Sequence, residues 1–323
     1  MRVLVTGGTG FIGRALVAQL LARGDEVTGL TRRVPAVADA ADVANERSVA
    51  PRVRWVAWDP ERAGEWQREL SGHDAVVHLA GASAVGRRYT EQVRREILES
   101  RVEPTRRLVE GIGALPAEQR PRVLVCASGV GFYGARGDEE VDEWAEAGHD
   151  FLAEVCVAWE AAARAAEAHG VRVVNARIGF VLGRGGGALA KLVPIFKAFA
   201  GGKLGSGRQW MPWIHLDDVV GALLLALSEA SLSGPMNVAG PSPATNAEFS
   251  KALGRALKRP ALFPVPAFGL RALFGDGAEP LLTGQRAVPR ALLTQRYRFR
   301  FSELDAALAD LPGLGALAGA RAC

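Results

Sequence analysis

Three glycines, Gly7, Gly10 and Gly13, recur at every third position of VTGGTGFIG, residues 5–13. The β-rich RVLVTG precedes this turn and the helical IGRALVAQLLARG follows it, so the backbone N–H groups that open the helix are left to face whatever sits on the turn. Those donors, with the positive end of the helix dipole, suit a pyrophosphate. A dinucleotide is therefore expected, with Gly7, Gly10, Phe11, Ile12 and Gly13 as its contacts. The second predicted strand ends in GLTRR, which offers Thr31, Arg32 and Arg33 and no carboxylate. A ribose 2′-hydroxyl is usually met there by Asp or Glu, whereas a 2′-phosphate needs a cation, and the guanidinium fork matches its oxygens. NADP(H) is expected in preference to NAD.

Alternating elements must hold these residues. DEVTGLTRR, VRWVAW, DAVVHLAG, RVLVCASGVGFYG and VRVVNARIGFVLG read as strands, and 90–113 and 151–170 as helices, with Gly24 closing the first helix. This order predicts an α/β protein, a Rossmann-like doubly wound parallel sheet with right-handed crossovers. After about residue 183 the chain becomes Gly-rich and irregular, which predicts a smaller C-terminal α/β substrate lobe. Residues 1–182 are assigned to the nucleotide-binding domain, with 213–240 returning to it, and 183–212 and 241–323 to the lobe. The stretch 33–52 is expected to be an extended surface connection.

Composition narrows the function classes. Thirty-nine basic and 35 acidic residues give a formal charge of +4 over 323 residues, and the cations are scattered. That argues against nucleic acid and fits a small polyanionic ligand. Cys126, Cys156 and Cys323 are too far apart for a zinc site or a disulfide framework, so no metal is expected and a reducing compartment is. VVGALLLAL, 219–227, is about half a membrane span, and no signal peptide is evident, so the protein is expected to be cytoplasmic, with no membrane partner.

TGGTGFIG, DAVVHLAG, SGVGFYG and WIHLDDV, in that order, resemble the extended short-chain dehydrogenases/reductases. FLAEVCVAWEAAA, GFVLGRGGGAL, GSGRQWMPWIHLDD and ATNAEFSKALGRALKRP narrow the likeness to an atypical, epimerase-like subfamily that ends in a C-terminal domain of unknown function. The likeness runs over nearly the whole chain and implies NADP(H) binding. It also implies Asp59 of WDP at the adenine amino group, Leu79 and Ala80 lining the cofactor cleft, and pairing through sheet-flanking helices as a homodimer. The resemblance places a catalytic serine at Ser128, but the usual Tyr-x-x-x-Lys frame falls on Cys156 and Glu160.

A thiol beside a carboxylate is a poor acid–base pair at neutral pH, since both burial and the negative charge raise the thiol pKa. Glu160 is instead expected to accept hydrogen bonds from the cofactor ribose, and Cys156 to pack as a small core residue. Arg101 stands where the family has an asparagine, and is expected either to meet a phosphate or to pair with Glu96, both at the cofactor site. Met211 and Pro212 replace the diphosphate-binding Arg and the Asp of nucleotide-sugar enzymes. Ser128, Tyr133, Gln209, Trp210, Trp213 and His215 remain for the substrate site. Tyr133 is the hydroxyl left for an acid role, while His215 is expected to be structural and Asp217 to cap a helix from Val219. Three readings follow: an NADP(H)-dependent oxidoreductase of unknown small-molecule substrate, an NADP(H)-binding sensor or partner without turnover, and a nucleotide-sugar epimerase. The third lacks an acid–base pair and a diphosphate anchor.

Overall fold

The computed structural model describes residues 1–34 and 53–311. Most of the expected 33–52 connection, and Cys323, lie outside them. The first half of the chain runs β1 (Arg2–Thr6), α1 (Phe11–Ala22), β2 (Glu26–Thr31), β3 (Arg54–Ala57), β4 (Ala75–His78), α2 (Glu91–Ala114), β5 (Val123–Gly129), β6 (Glu140–Val141) and α3 (Phe151–Arg164). β7 (Arg172–Ile178), β8 (Phe180–Leu182), α4 (Leu189–Lys197), β9 (Trp210–Met211), β10 (Trp213–His215), α5 (Leu216–Ser228) and β11 (Gly234–Val238) follow. The remainder is β12 (Ala244–Thr245), α6 (Asn246–Leu257), α7 (Ala267–Phe274), α8 (Glu279–Leu282), β13 (Arg286–Ala287), α9 (Arg290–Thr294) and α10 (Leu304–Ala309).

Seven strands form one parallel sheet in the order β3-β2-β1-β4-β5-β7-β11. The order reverses between β1 and β4, which opens a crevice at the carboxyl ends of the strands, the usual ligand position of such sheets. Helices cover both faces, so the strands read as continuous apolar runs. Val3 and Val5 pack with Leu16, Leu20 and Leu223 beneath α1 and α5, while Leu4, Val76 and Leu124 pack with Leu108 and Trp159 beneath α2 and α3. No described helix is long and apolar enough to cross a membrane.

The expected strand VRVVNARIGFVLG is divided at Gly179, where a Cβ would lie 2.1 Å from the Pro212 carbonyl oxygen. β8 therefore leaves the main sheet and pairs with β10. Beyond it the smaller lobe has its own core of Leu189, Val193, Phe196, Trp213, Phe249 and Leu308. Leu292, Tyr297 and Phe299, expected in that lobe, pack instead against the core beneath α1 and α5.

Four helix starts are fixed by side chains. Thr90 accepts from the Val93 N–H, Asp150 from the Ala153 N–H, and Thr245 forms a capping box with Glu248. α5 starts at Leu216 and not at Val219, and its cap is His215, whose Nδ1 accepts from the Asp217 N–H at 3.2 Å. Asp217 turns away to pair with Arg300 at 2.6 Å, correcting the capping role expected of it. α1 has no such cap, a lack it shares with α4 and α7 to α10, and the residue before it is Gly10.

Candidate functional site

The glycine turn meets two separate demands. Gly7 has φ +69°, and a Cβ there would lie 2.8–2.9 Å from the Leu79 and Ala80 backbone; a Cβ on Gly13 would lie 2.1 Å from the Gly7 carbonyl oxygen. Both positions are cleared for the protein's own backbone. At Gly10 the one neighbour within 4 Å is that same carbonyl, at 3.1 Å, and the rest of the space is open. An uncapped helix start beside an open glycine fits a pyrophosphate. The Phe11 ring is enclosed by the second glycine loop, where a Cβ on Gly183, Gly186 or Gly187 would come within 2.5–3.0 Å of it. Ile12 packs on the core beneath α1. These two residues have backbone N–H groups to offer a ligand, their side chains being engaged elsewhere.

At the end of β2, Thr31 donates its hydroxyl to the Arg33 carbonyl at 3.0 Å. Arg32 and Arg33 are exposed, and among the described residues neither has an ion-pair partner. Asp59 is exposed, with one oxygen accepting from the Glu61 N–H. Leu79 and Ala80 are half-buried directly against Gly7. The cleft at the switch point is thus flanked by two exposed cations with no ion-pair partner among the described residues, an open helix start and the exit of β4. The side chains present fit an adenine dinucleotide bearing a 2′-phosphate.

The far end of the cleft departs from expectation. Ser128, Arg177 and Asn237 occupy the same register on β5, β7 and β11, so their side chains share one face. Glu160 reaches this row from α3 and is gripped by Arg177 through two bonds, Nε to Oε1 at 2.8 Å and Nη2 to Oε2 at 2.9 Å. Ser128 donates to the same carboxylate at 2.7 Å. Arg177 is 3% and Glu160 4% exposed. Burial lowers the Arg177 pKa, but the hydrogen bonds and charge of Glu160 outweigh it and the net direction is upward. This corrects the ribose-binding role expected of Glu160, since the carboxylate is buried and held within the row by Arg177 and Ser128.

Tyr133 is corrected as well. It is fully buried, donates to Asn237 Oδ1 at 2.6 Å and accepts from Arg177 Nη1 at 3.0 Å. Burial pushes its phenol up to about 12. A sealed phenol bonded on both sides cannot reach a substrate, so it belongs to the scaffold. Glu143 completes the network by accepting from the Asn237 and Ala291 backbone N–H groups. Arg177, Asn237 and Glu143 escaped the sequence reading, although an arginine inside the otherwise apolar RVVNARI was a signal, because a buried strand cation requires a partner.

Cys156 is 7% exposed and faces Gly129, with burial first and the Glu160 charge second pushing its thiol up to about 11. The pairing of Arg101 with Glu96 does not form. Glu96 is exposed and forms a two-bond pair with Arg87, which removes it from the cofactor cleft. Arg101 bends back to the Ile97 and Ala82 carbonyls at 2.9 and 2.8 Å and lies over the Trp159 ring. Gln209 ties the Leu204 and Leu281 carbonyls together, Trp213 is fully buried in the lobe, and Trp210 donates to Asp138 at the rim. Met211 meets Asn246 through its sulfur. These residues do not gather around one substrate. Among the described residues no three His, Cys, Asp or Glu side chains are placed to hold a metal.

The match to a family model decides the relationship: residues 3–239 fit the model described as NAD dependent epimerase/dehydratase family. The chain belongs to this family. Residues 265–311 fit a second model, described as a domain of unknown function, DUF1731. The chain is 40% identical to human epimerase family protein SDR39U1, covering 96% of this chain and 99% of that one. It is 41% identical to epimerase family protein MT2273 of Mycobacterium tuberculosis, covering 95% and 96% respectively. The crystal structure of human SDR39U1 (isoform 2), determined with NADPH, superposes with a TM-score of 0.83 at 38% identity, covering 96% of this chain and 99% of that one. A nucleoside-diphosphate sugar epimerase structure from Corynebacterium glutamicum gives 0.73 at 34%, covering 96% of this chain and 57% of that one. The resemblance in the sequence and the Rossmann-like fold are both borne out.

Proposed function

We propose that this family member is an NADP(H)-dependent oxidoreductase that orients a small substrate for hydride transfer without a Tyr-Lys acid–base pair. The observation that carries the reading is the open, uncapped start of α1 at Gly10, together with exposed Arg32 and Arg33, which have no ion-pair partner among the described residues. NADPH in the crystal structure of the human relative supports it. When bound, the cofactor supplies the hydride. The protein's share is then geometry, and positioning of reactants carries much of such a barrier. The Gly10–Gly13 backbone would hold the diphosphate, Arg32 and Arg33 the 2′-phosphate, and Leu79 and Ala80 the cleft wall, with Asp59 beside the adenine.

Ser128 takes a particular role at the other end. Its proton is directed to Glu160, so its oxygen lone pairs are what it presents to the cleft. It would accept a hydrogen bond from a substrate hydroxyl or from the nicotinamide amide, and not donate one to a carbonyl. Cys156, protonated and bonded to the Gly129 carbonyl, supplies shape. Two buried thiols without a partner in the described chain, Cys126 and Cys156, support a reducing cytoplasmic setting. We assign no nucleic-acid or membrane partner, and the two-helix homodimer of the resemblance is part of the proposal.

The test uses NADPH carrying deuterium at C4, pro-R and pro-S in separate samples, incubated with the protein and a small-metabolite extract. Deuterium in one compound by mass spectrometry, reduced when Ser128 is replaced by Ala, is the expected result. Deuterium retained on a cofactor that binds saturably would instead assign the chain as a sensor or binding partner.

A further inference from the structure

Arg101 has an unusual set of neighbours. Around it on α2 and the preceding loop, Arg87 pairs with Glu96, Arg94 with Asp276, Arg106 with Glu103 and Arg107 with Glu110. Those four are at the surface or partly so. Arg101 is more deeply set, its Cγ, Cζ and Nε packed 3.4–3.6 Å from the Cβ position of Gly81, and among the described residues no carboxylate lies within ion-pair distance. Its Nη1 donates to the Ile97 carbonyl and, at 3.5 Å, to Ser100 Oγ; its Nη2 donates to the Ala82 carbonyl. Among the described residues the Nε–H and one Nη2–H have no acceptor, and the half-buried side chain leaves them within reach of a ligand. Cys156 and Tyr89, which interact with it, are both pushed up by burial and uncharged at neutral pH.

A cation withdrawn in part from solvent is favoured by a matching anion, as the fully buried Arg177 is by Glu160. We propose that Arg101 binds the carboxylate of a small organic-acid substrate, the guanidinium taking its two oxygens on Nε and Nη2. The inference rests on the oxidoreductase reading of the cleft. Two neighbouring N–H donors with no acceptor are the arrangement that forks onto a planar carboxylate. The Trp159 ring, 5.1 Å from Cζ, and the two helix and loop carbonyls hold the guanidinium in place. The position along the cleft favours the substrate over the cofactor's phosphates. Those have the α1 start and Arg32 and Arg33 at one end, whereas Arg101 lies beside Cys156 at the other.

The probes are benzoate and oxamate, with benzamide as the neutral control, titrated into wild type, Arg101→Gln and Arg101→Lys. Intrinsic tryptophan emission, to which Trp159 contributes, reports binding without nucleotide; the fluorescence of bound NADPH reports it with nucleotide. The carboxylates should bind saturably and benzamide should not. Arg101→Gln should weaken the carboxylates at least tenfold while NADPH affinity stays within threefold. Arg101→Lys, which keeps the charge and loses the fork, should weaken them more than threefold, and it serves as the reading should the glutamine variant not fold. Equal binding of benzamide, or unchanged carboxylate binding in both variants, overturns the proposal. So does a tenfold loss of NADPH affinity in the variants with no carboxylate response, which gives the donors to the cofactor diphosphate. If wild type fails to bind NADPH, the cofactor reading falls separately, and tryptophan emission still decides on Arg101.

Discussion

Glu160→Gln separates a scaffold carboxylate from a cofactor ligand. The substitution leaves the Arg177 guanidinium 3% exposed with no counter-charge and breaks one of two bonds at 2.8 and 2.9 Å. Removing one partner of a buried ion pair costs about 3–5 kcal/mol, and the retained amide oxygen puts this case near 3. In a domain of this size that is a fall of roughly 5–10 °C in melting temperature. The variant should be followed by urea unfolding with tryptophan emission and by NADPH titration at a temperature where it is folded. Stability should fall by the stated amount and NADPH affinity should hold within threefold. The double variant Glu160→Leu, Arg177→Met should regain at least half of the loss, because no charge is left buried. An unchanged melting temperature with a tenfold loss of NADPH affinity would refute the reasoning and restore Glu160 to the ribose.

Three further outcomes are expected. Gly13→Ala should destabilise by about 2 kcal/mol or more, as its Cβ would overlap the Gly7 carbonyl, whereas Gly10→Ala should keep the melting temperature and lose about tenfold in NADPH affinity; thermal melts and fluorescence titration on both variants check this. Arg32→Glu should weaken NADPH about tenfold and change NADH binding less than threefold, measured side by side. His78 is fully buried, and burial lowers its pKa to about 3. The unfolded chain binds that proton near pH 6.5 and the folded one does not, so stability is full above pH 6.5, falls as pH drops and levels off below about 3. From pH 7.5 to 5.0 the loss from this residue is about 2 kcal/mol, and His78→Asn should reduce the measured pH slope by that amount.

The parallel sheet was readable because its strands are apolar runs bounded by glycine turns, and two buried faces leave such strands little alternative. The glycine spacing pointed to the dinucleotide end, since the physics of that turn is local. The end of the cleft around Ser128 was less readable. Glu160 and Arg177 meet only after α3 folds over β7, and periodicity does not reveal which carboxylate a buried arginine will take. Tyr133 failed as a candidate for a related reason: its loop brings it under Asn237, a residue from a strand far along the chain. His215 was read correctly as structural, but its cap could not be told from that of Asp217, one turn of sequence carrying two side chains able to accept from the helix start. Cys156 behaved as spacing predicted because burial alone determines it.

The aromatic ring at the start of α1 sets an order on the making of the molecule. Phe11 is made before the loop that encloses it, 183–187, with strands β2 to β8 and the helices α2 and α3 between them, and β11, which covers the edge of β7, comes later still. Closure of such distant contacts is slow relative to local helix formation. Until then the young chain carries an uncovered ring and an unpaired strand edge, the features on which incomplete chains associate. A fragment ending at residue 182 would hold every glycine of the nucleotide turn and still lack the wall that holds Phe11 in place. The nucleotide site is thus a property of the finished chain, and splitting the gene between the two lobes would not yield a portable binding module.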